Sequence, residues 1–146
     1  MKKVLVVLAS SLMFMLVGCS GGNGAADTVK SMYKAAMDRD AETFAPIVSQ
    51  MDGFEGHEQE AMEEVAEMGF DAGGIEKMKI AEVKKDQLQS EVRDALNEEY
   101  GEDWSFVAAE LGEESSEVFV WIMKEVDGKH YAVDADDLSP DEFLKK

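Results

Sequence analysis

Val118-Phe119-Val120-Trp121-Ile122-Met123-Lys124-Glu125-Val126-Asp127-Gly128-Lys129-His130-Tyr131-Ala132-Val133 is the stretch that decides the fold. Its first six residues are apolar without a break and rich in β-branched and aromatic side chains. Such a short run suits a strand covered on both faces, and so a central one. Val118, Val120 and Ile122 then share one face; Phe119, Trp121 and Met123 share the other. Asp127-Gly128 is the dipeptide of a two-residue primed turn, because both positions need a positive φ. Lys129–Val133 is expected to return as the last strand.

Moving toward the N-terminus, Trp104 to Leu111 alternates. Trp104, Phe106 and Ala108 fall on one face, Val107, Ala109 and Leu111 on the other, and Gly112 to Ser116 should turn this strand into the next. Asp86 to Tyr100 reads as a helix with Leu88, Val92, Ala95 and Leu96 on one side and Gly101 at its stop. Residues 74–84 fit either period. Met78 and Ile80 alternate with Lys77 and Lys79, while Ile75, Met78 and Glu82 fit one side of a helix; the paired glycines favour a strand.

The first half is helical. Asp27 or Thr28 can cap a helix whose Val29, Met32, Tyr33, Ala36 and Met37 make one apolar face. Asp38-Arg39-Asp40 interrupts that face and recaps the chain. Phe44, Ile47, Val48 and Met51 form a second short face, with Pro46 placed either near the helix start or as a break. Asp52 to Gly56 is a turn. His57 to Met68 is an acidic helix with Ala61, Met62, Val65 and Met68 inward, ended by Gly69, Gly73 and Gly74. Helices first and an antiparallel meander last predict an α+β domain, with N-terminal amphipathic helices packed on one face of a C-terminal antiparallel sheet.

The N-terminus carries a different message. Met1-Lys2-Lys3 is basic, Val4 to Val17 is apolar apart from two serines, and Leu16-Val17-Gly18-Cys19 follows. A charged start, an apolar stretch and a small residue at the cut describe a secretory leader. The cysteine after the small residue resembles the lipobox of bacterial lipoproteins, which implies acylation of the Cys19 thiol and cleavage before it. The apolar run is shorter than the ~20 residues of a spanning helix. The expected organisation is a leader over 1–18, a lipidated cysteine and flexible tether over 19–26, and one domain over 27–146.

Cys19 is the only cysteine. The domain therefore has no internal disulfide, and an acylated thiol excludes cysteine catalysis and cysteine-based zinc sites. The whole chain carries a formal charge of −18. Removal of Lys2 and Lys3 with the leader takes it to about −20. Nucleic acid is excluded as a partner, since phosphate contacts require clustered Lys and Arg. The acidic surface keeps the domain soluble and well separated from its neighbours, and beyond that solvation it leaves room for a basic partner or loose divalent-cation binding.

Residues Val29–Phe44 and Val118–Asp134, behind a lipoprotein leader, resemble the small bacterial lipoproteins of unknown function with a cystatin-like, nuclear-transport-factor-two-like fold. The resemblance implies that fold, a place in the cell envelope, and the periplasmic face of the outer membrane in a Gram-negative host. It implies no agreed activity. The helix Asp86–Tyr100 departs from the pattern as an insertion between strands.

Chemistry-bearing patterns are sparse. His57, Glu60 and Glu64 share a helix face, but a second histidine four residues on is missing. His130 is expected to face solvent. Asp134, Asp136, Asp137, Asp141 and Glu142 imitate a calcium loop, yet Leu138, Ser139 and Lys145 stand where an oxygen donor, the turn glycine and the final glutamate belong. An acidic tail with Ser139 capping a short Pro140-Asp141-Glu142 helix is the better reading. The ten methionines fit gap-filling core positions better than metal capture. Trp104, Phe106, Phe119 and Trp121 are the candidate lining of an apolar pocket between sheet and helices. The expected function is a membrane-anchored, non-catalytic interaction or ligand-binding module, monomeric and without cofactor or metal, whose partner is a basic protein or a small apolar ligand. The alternative is a ketosteroid-isomerase-like or hydrolase-type enzyme. It would require a carboxylate whose pKa is raised inside an apolar cleft.

Overall fold

Glycine at 24 is extended and stands at the N-cap of helix α1, Ala25–Met37. The helix thus begins ahead of both expected caps, and Asp27 and Thr28 sit in its first turn, where a carboxylate suits the helix dipole. Ala25 is 1% exposed, so the folded part takes in the last two residues of the expected tether. The structure, a computed structural model, describes residues 24–112 and 118–146. The leader, Cys19 and the segment 113–117 of the expected turn lie outside the described residues.

Arg39 adopts a left-handed φ of 57° and turns the chain into α2, Ala41–Val48. Asp40 caps it by accepting from the Thr43 amide at 3.2 Å and the Thr43 hydroxyl at 2.7 Å. Pro46 lies inside this helix rather than at its start. Its missing N–H falls in the final turn, and the helix ends two residues later. Helix α3 spans Glu58–Asp71. A 3₁₀ turn, Ile75–Lys77, leads into strand β1, Lys79–Val83, so the favoured strand is present over the second half of 74–84 and the helical alternative is not. The expected helix over 86–100 is likewise two pieces: a 3₁₀ turn, Lys85–Gln87, and helix α4, Ser90–Tyr100. Leu88 is buried between the two, whereas Ala95 is exposed.

Strands β2 (Trp104–Glu110), β3 (Val118–Val126) and β4 (Lys129–Leu138) complete an antiparallel sheet of order β1-β2-β3-β4. β3 is internal, as its two-sided apolar run requires. Asp127 and Gly128 both have positive φ, 54° and 79°, the signature of the primed turn. β4 runs five residues beyond the expected Val133, so Asp134, Asp136 and Asp137 belong to a strand and not to a tail. A register shift opposite Ile122 and Met123 marks a bulge in this strand. Helix α5, Pro140–Phe143, opens with the expected capping box between Ser139 and Glu142.

Two apolar cores result, one on each sheet face. Helices α1, α2 and α3 contribute Val29, Met32, Tyr33, Phe44, Ala61 and Val65 to the first, where they meet Ile80, Val107, Trp121 and Met123. The second gathers Val83, Leu88, Trp104, Phe106, Val120, Ile122 and Phe143, with Val92 and Leu96 of α4 packed against it. Helices on one face only is therefore corrected: the N-terminal helices occupy one face, and α4 with the C-terminal turn occupies the other. The reason is the strands themselves. β2 and β3 are apolar on both sides, and burying one side alone would leave the other in water.

Candidate functional site

The four aromatic residues expected to line one pocket are divided between the two cores. Antiparallel partners share a sheet face, and Phe106 pairs with Ile122 while Val107 pairs with Trp121. That register puts Trp104 and Phe106 on the α4 face and Phe119 and Trp121 on the α1 face. Trp104, Phe106 and Trp121 are each 2% exposed. They fill the interior and line no common cavity.

Each tryptophan instead ties the sheet to a helix. Trp121 Nε1–H donates to Tyr33 Oη of α1 at 3.0 Å. The two rings meet edge to face with centroids 6.0 Å apart, and the Phe119 ring lies 5.1 Å from Trp121. Burial pushes the Tyr33 hydroxyl well above the ordinary phenol range; the indole donor pulls it back in part, and the Asp137 charge adds to the rise. Tyr33 therefore stays neutral and serves as an acceptor. On the opposite face Trp104 Nε1–H donates to Asn97 Oδ1 of α4 at 2.9 Å. The Lys85 ammonium lies 4.3 Å from the centre of the Trp104 ring, a cation–π contact. In the sequence Tyr33 stands out only as a member of an apolar face, and Asn97 does not stand out. A buried indole needs an acceptor, and that need was the available signal.

The titratable candidates are all at or near the surface. His57 Nδ1 is 3.2 Å from Glu60 Oε2, both exposed. His130, expected to face solvent, has a side chain only 12% exposed, with Nε2 3.6 Å from Glu125. On β4 the carboxylates of Asp134 and Asp136 turn back along the strand. They accept from the backbone N–H of Ala135 and Asp137, each at 2.9 Å. Tyr100 sits beside Asp134 and Glu99; burial first, then these charges and hydrogen bonds, push its hydroxyl up to about 12. Among the described residues no charged side chain is buried. Met32 and Met123 are fully buried and Met78 nearly so, while Met37, Met62 and Met68 are half-buried.

Two surface grooves stand out among the described residues. One, of about 470 Å³, lies between the N-terminal part of α1, Pro46 of α2 and the β3–β4 hairpin, and is lined by Asp27, Ser31, Lys129 and His130 among others. The other, of about 400 Å³, runs between the C-terminal end of α1 and α3. Its shape follows from helix periodicity, since positions four apart form rows along a helix. The row Ala61, Val65 and Gly69 is buried against α1. The adjacent row, Met62, Ala66 and Phe70, makes the groove floor with Ala36 and Met37. The next row, Gln59, Glu63 and Glu67, makes its rim, and Arg39 stands at the α1 end. Gly69 permits the close approach: a Cβ there would lie 2.5 Å from Met37 Sδ. Phe70 is 61% exposed. Compared with protein-family models, with curated proteins and with solved structures, the chain matches none.

Proposed function

We propose that this protein is an exported lipoprotein of the bacterial cell envelope, held to the membrane by acyl chains on Cys19, and that its domain is a monomeric, non-catalytic interaction module. The observation that carries the proposal is the sequence Leu16-Val17-Gly18-Cys19 behind a basic and then apolar start. Stable anchoring takes two or more acyl chains, which a lipidated cysteine supplies. Six residue steps separate Cys19 from Ala25, a reach of at most about 20 Å, so the domain works close to the bilayer. In a Gram-negative host Ser20 after the cysteine points to the outer membrane.

The cystatin-like reading belongs to the same proposal. It is supported by a long helix laid across an antiparallel meander through Val29, Tyr33 and Trp121. It differs from the expected pattern in α4, which enters between β1 and β2 and covers the second face. The enzymatic alternative needs a carboxylate held inside an apolar cleft. The interiors among the described residues are filled by Trp104, Phe106 and Trp121, and their acids are on the surface, which favours the module.

Expression of the full chain in a Gram-negative host with radiolabelled palmitate tests the anchor. The expected result is a labelled, processed protein in the detergent phase, and an unlabelled, unprocessed precursor for Cys19→Ala. Label in the Cys19→Ala protein, or none in the parent, would overturn it.

A further inference from the structure

We propose that the groove between α1 and α3 receives a basic amphipathic helix from a partner protein. The proposal deepens the interaction-module reading by naming the docking face and the chemistry of its occupant. Three features of the groove converge on that occupant. Its floor is apolar and adaptable: Met37 and Met62 are half-buried and Phe70 is 61% exposed, the most exposed large apolar side chain among the described residues. Methionines repack around varied side chains, as promiscuous helix-binding grooves require.

Its length fits a helix. Met62 and Phe70, with Ala66 between them, lie eight residue steps apart on α3, about 12 Å at 1.5 Å per step. That is two helical turns, and an apolar stripe at i, i+3, i+4 and i+7 on a partner helix covers the same distance. An extended strand would find no unpaired backbone there, because the groove walls are helices.

Its charge selects the sign. Helix α3 carries Glu58, Glu60, Glu63, Glu64, Glu67 and Asp71 and neither Lys nor Arg. Glu63 and Glu67 line the rim beside the floor row, while the α1 side ends in Arg39. A bound helix would thus meet glutamates along its α3 flank, and needs Lys or Arg there. The same charge argues against the other occupants. A second copy of this chain brings a net charge of −18 to the contact, and an anionic bilayer repels the glutamate rim.

The test uses a labelled Leu/Lys peptide of about fourteen residues, its leucines on one helical face. A second peptide of the same composition is scrambled to destroy the face. Binding is followed by fluorescence anisotropy to the full chain held in phosphatidylcholine nanodiscs, with empty nanodiscs as blank. The amphipathic peptide should bind at least about tenfold more tightly than the scrambled one. Phe70→Ser, at a site outside both cores, should remove about that factor without shifting thermal unfolding. The double variant Glu63→Gln, Glu67→Gln should weaken binding severalfold and flatten its dependence on salt.

Equal affinity for the two peptides, no binding of either, or indifference to Phe70→Ser would overturn the proposal. Dimerisation of the peptide-free protein that Phe70→Ser abolishes would assign the groove to a second copy instead. Loss of peptide binding with Cys19-dependent lipidation intact would sink this inference alone. Absent lipidation with the groove still selective would sink only the anchor.

Discussion

Trp121→Ala separates a structural tryptophan from a ligand-site tryptophan, and the structure sets the expected size of the effect. The side chain is 2% exposed and sits where α1 crosses β3. A buried tryptophan removes about 200 Å² from water, which at roughly 25 cal/mol per Å² corresponds to about 5 kcal/mol. Truncation also opens a cavity, since the Tyr33 and Phe119 rings lose the surface they pack on. It strips the Tyr33 hydroxyl of its buried donor as well. Partial collapse of the site works in the other direction. The expected loss is about 3–5 kcal/mol, a large share of the ~5–15 kcal/mol that a single domain commands. Urea unfolding followed by far-UV circular dichroism measures it, because removing one of two tryptophans compromises fluorescence as a probe. Tyr33→Phe is the companion measurement. It keeps the ring and leaves the Trp121 N–H without its acceptor, so a loss of about 1–3 kcal/mol is expected. An unchanged urea midpoint for Trp121→Ala, within about 0.5 kcal/mol as for surface changes, would refute the account of this residue as a core tie.

Two further outcomes follow from the second face. Phe143 is fully buried, 5.0 Å from the Phe106 ring, and its segment is held by Gln89 N–H to Phe143 C=O at 2.8 Å and Lys145 N–H to Gln87 C=O at 2.9 Å. Phe143→Ala should cost about 3–4 kcal/mol in urea unfolding; a loss under about 1 kcal/mol would mean that the C-terminal turn is dispensable. Tyr100 has its pKa pushed up to about 12 from 10.0. A raised phenol pKa stabilises the fold below the ordinary value, and that contribution disappears as pH rises from 10.0 toward about 12. Tyr100→Phe should flatten this alkaline fall in melting temperature, and an identical fall in both proteins would dismiss Tyr100 as its source.

The strands were the most legible part of the chain. Val118–Met123 announced a strand covered on both sides, and Asp127-Gly128 announced the turn that follows. Two-sided burial demands a second covering layer, and local periodicity does not say what supplies it, because α4 has a weak apolar face: Val92 and Leu96 are only half-buried and Ala95 is exposed. Much of the cover comes from Leu88 and Phe143, residues distant in sequence and joined by main-chain pairing of Leu88 with Leu144, which no local period reports. Aspartates are poor strand formers, so local propensity ends β4 at Val133; pairing with β3 overrides that propensity. The aromatic pocket failed on register, since strand alternation orders residues within a strand but does not say which residue lies opposite. The groove row Met62, Ala66 and Phe70 was visible only in part. Helical spacing puts Met62 with the core residues, and Phe70 lies beyond the expected helix end at Met68.

The aspartates of β4 acquire a meaning from where that strand lies. β4 is an edge of the sheet, and an unpaired edge is a template for another chain's strand. The carboxylates of Asp134 and Asp136 already occupy the N–H groups of Ala135 and Asp137. These are alternate amides, hence on the same side of the strand. An incoming strand would have to approach a line of negative charge. The Asp-Ala-Asp-Asp sequence thus acts as a guard rail against runaway sheet growth, and this gives a sequence that imitates an ion site a protective use.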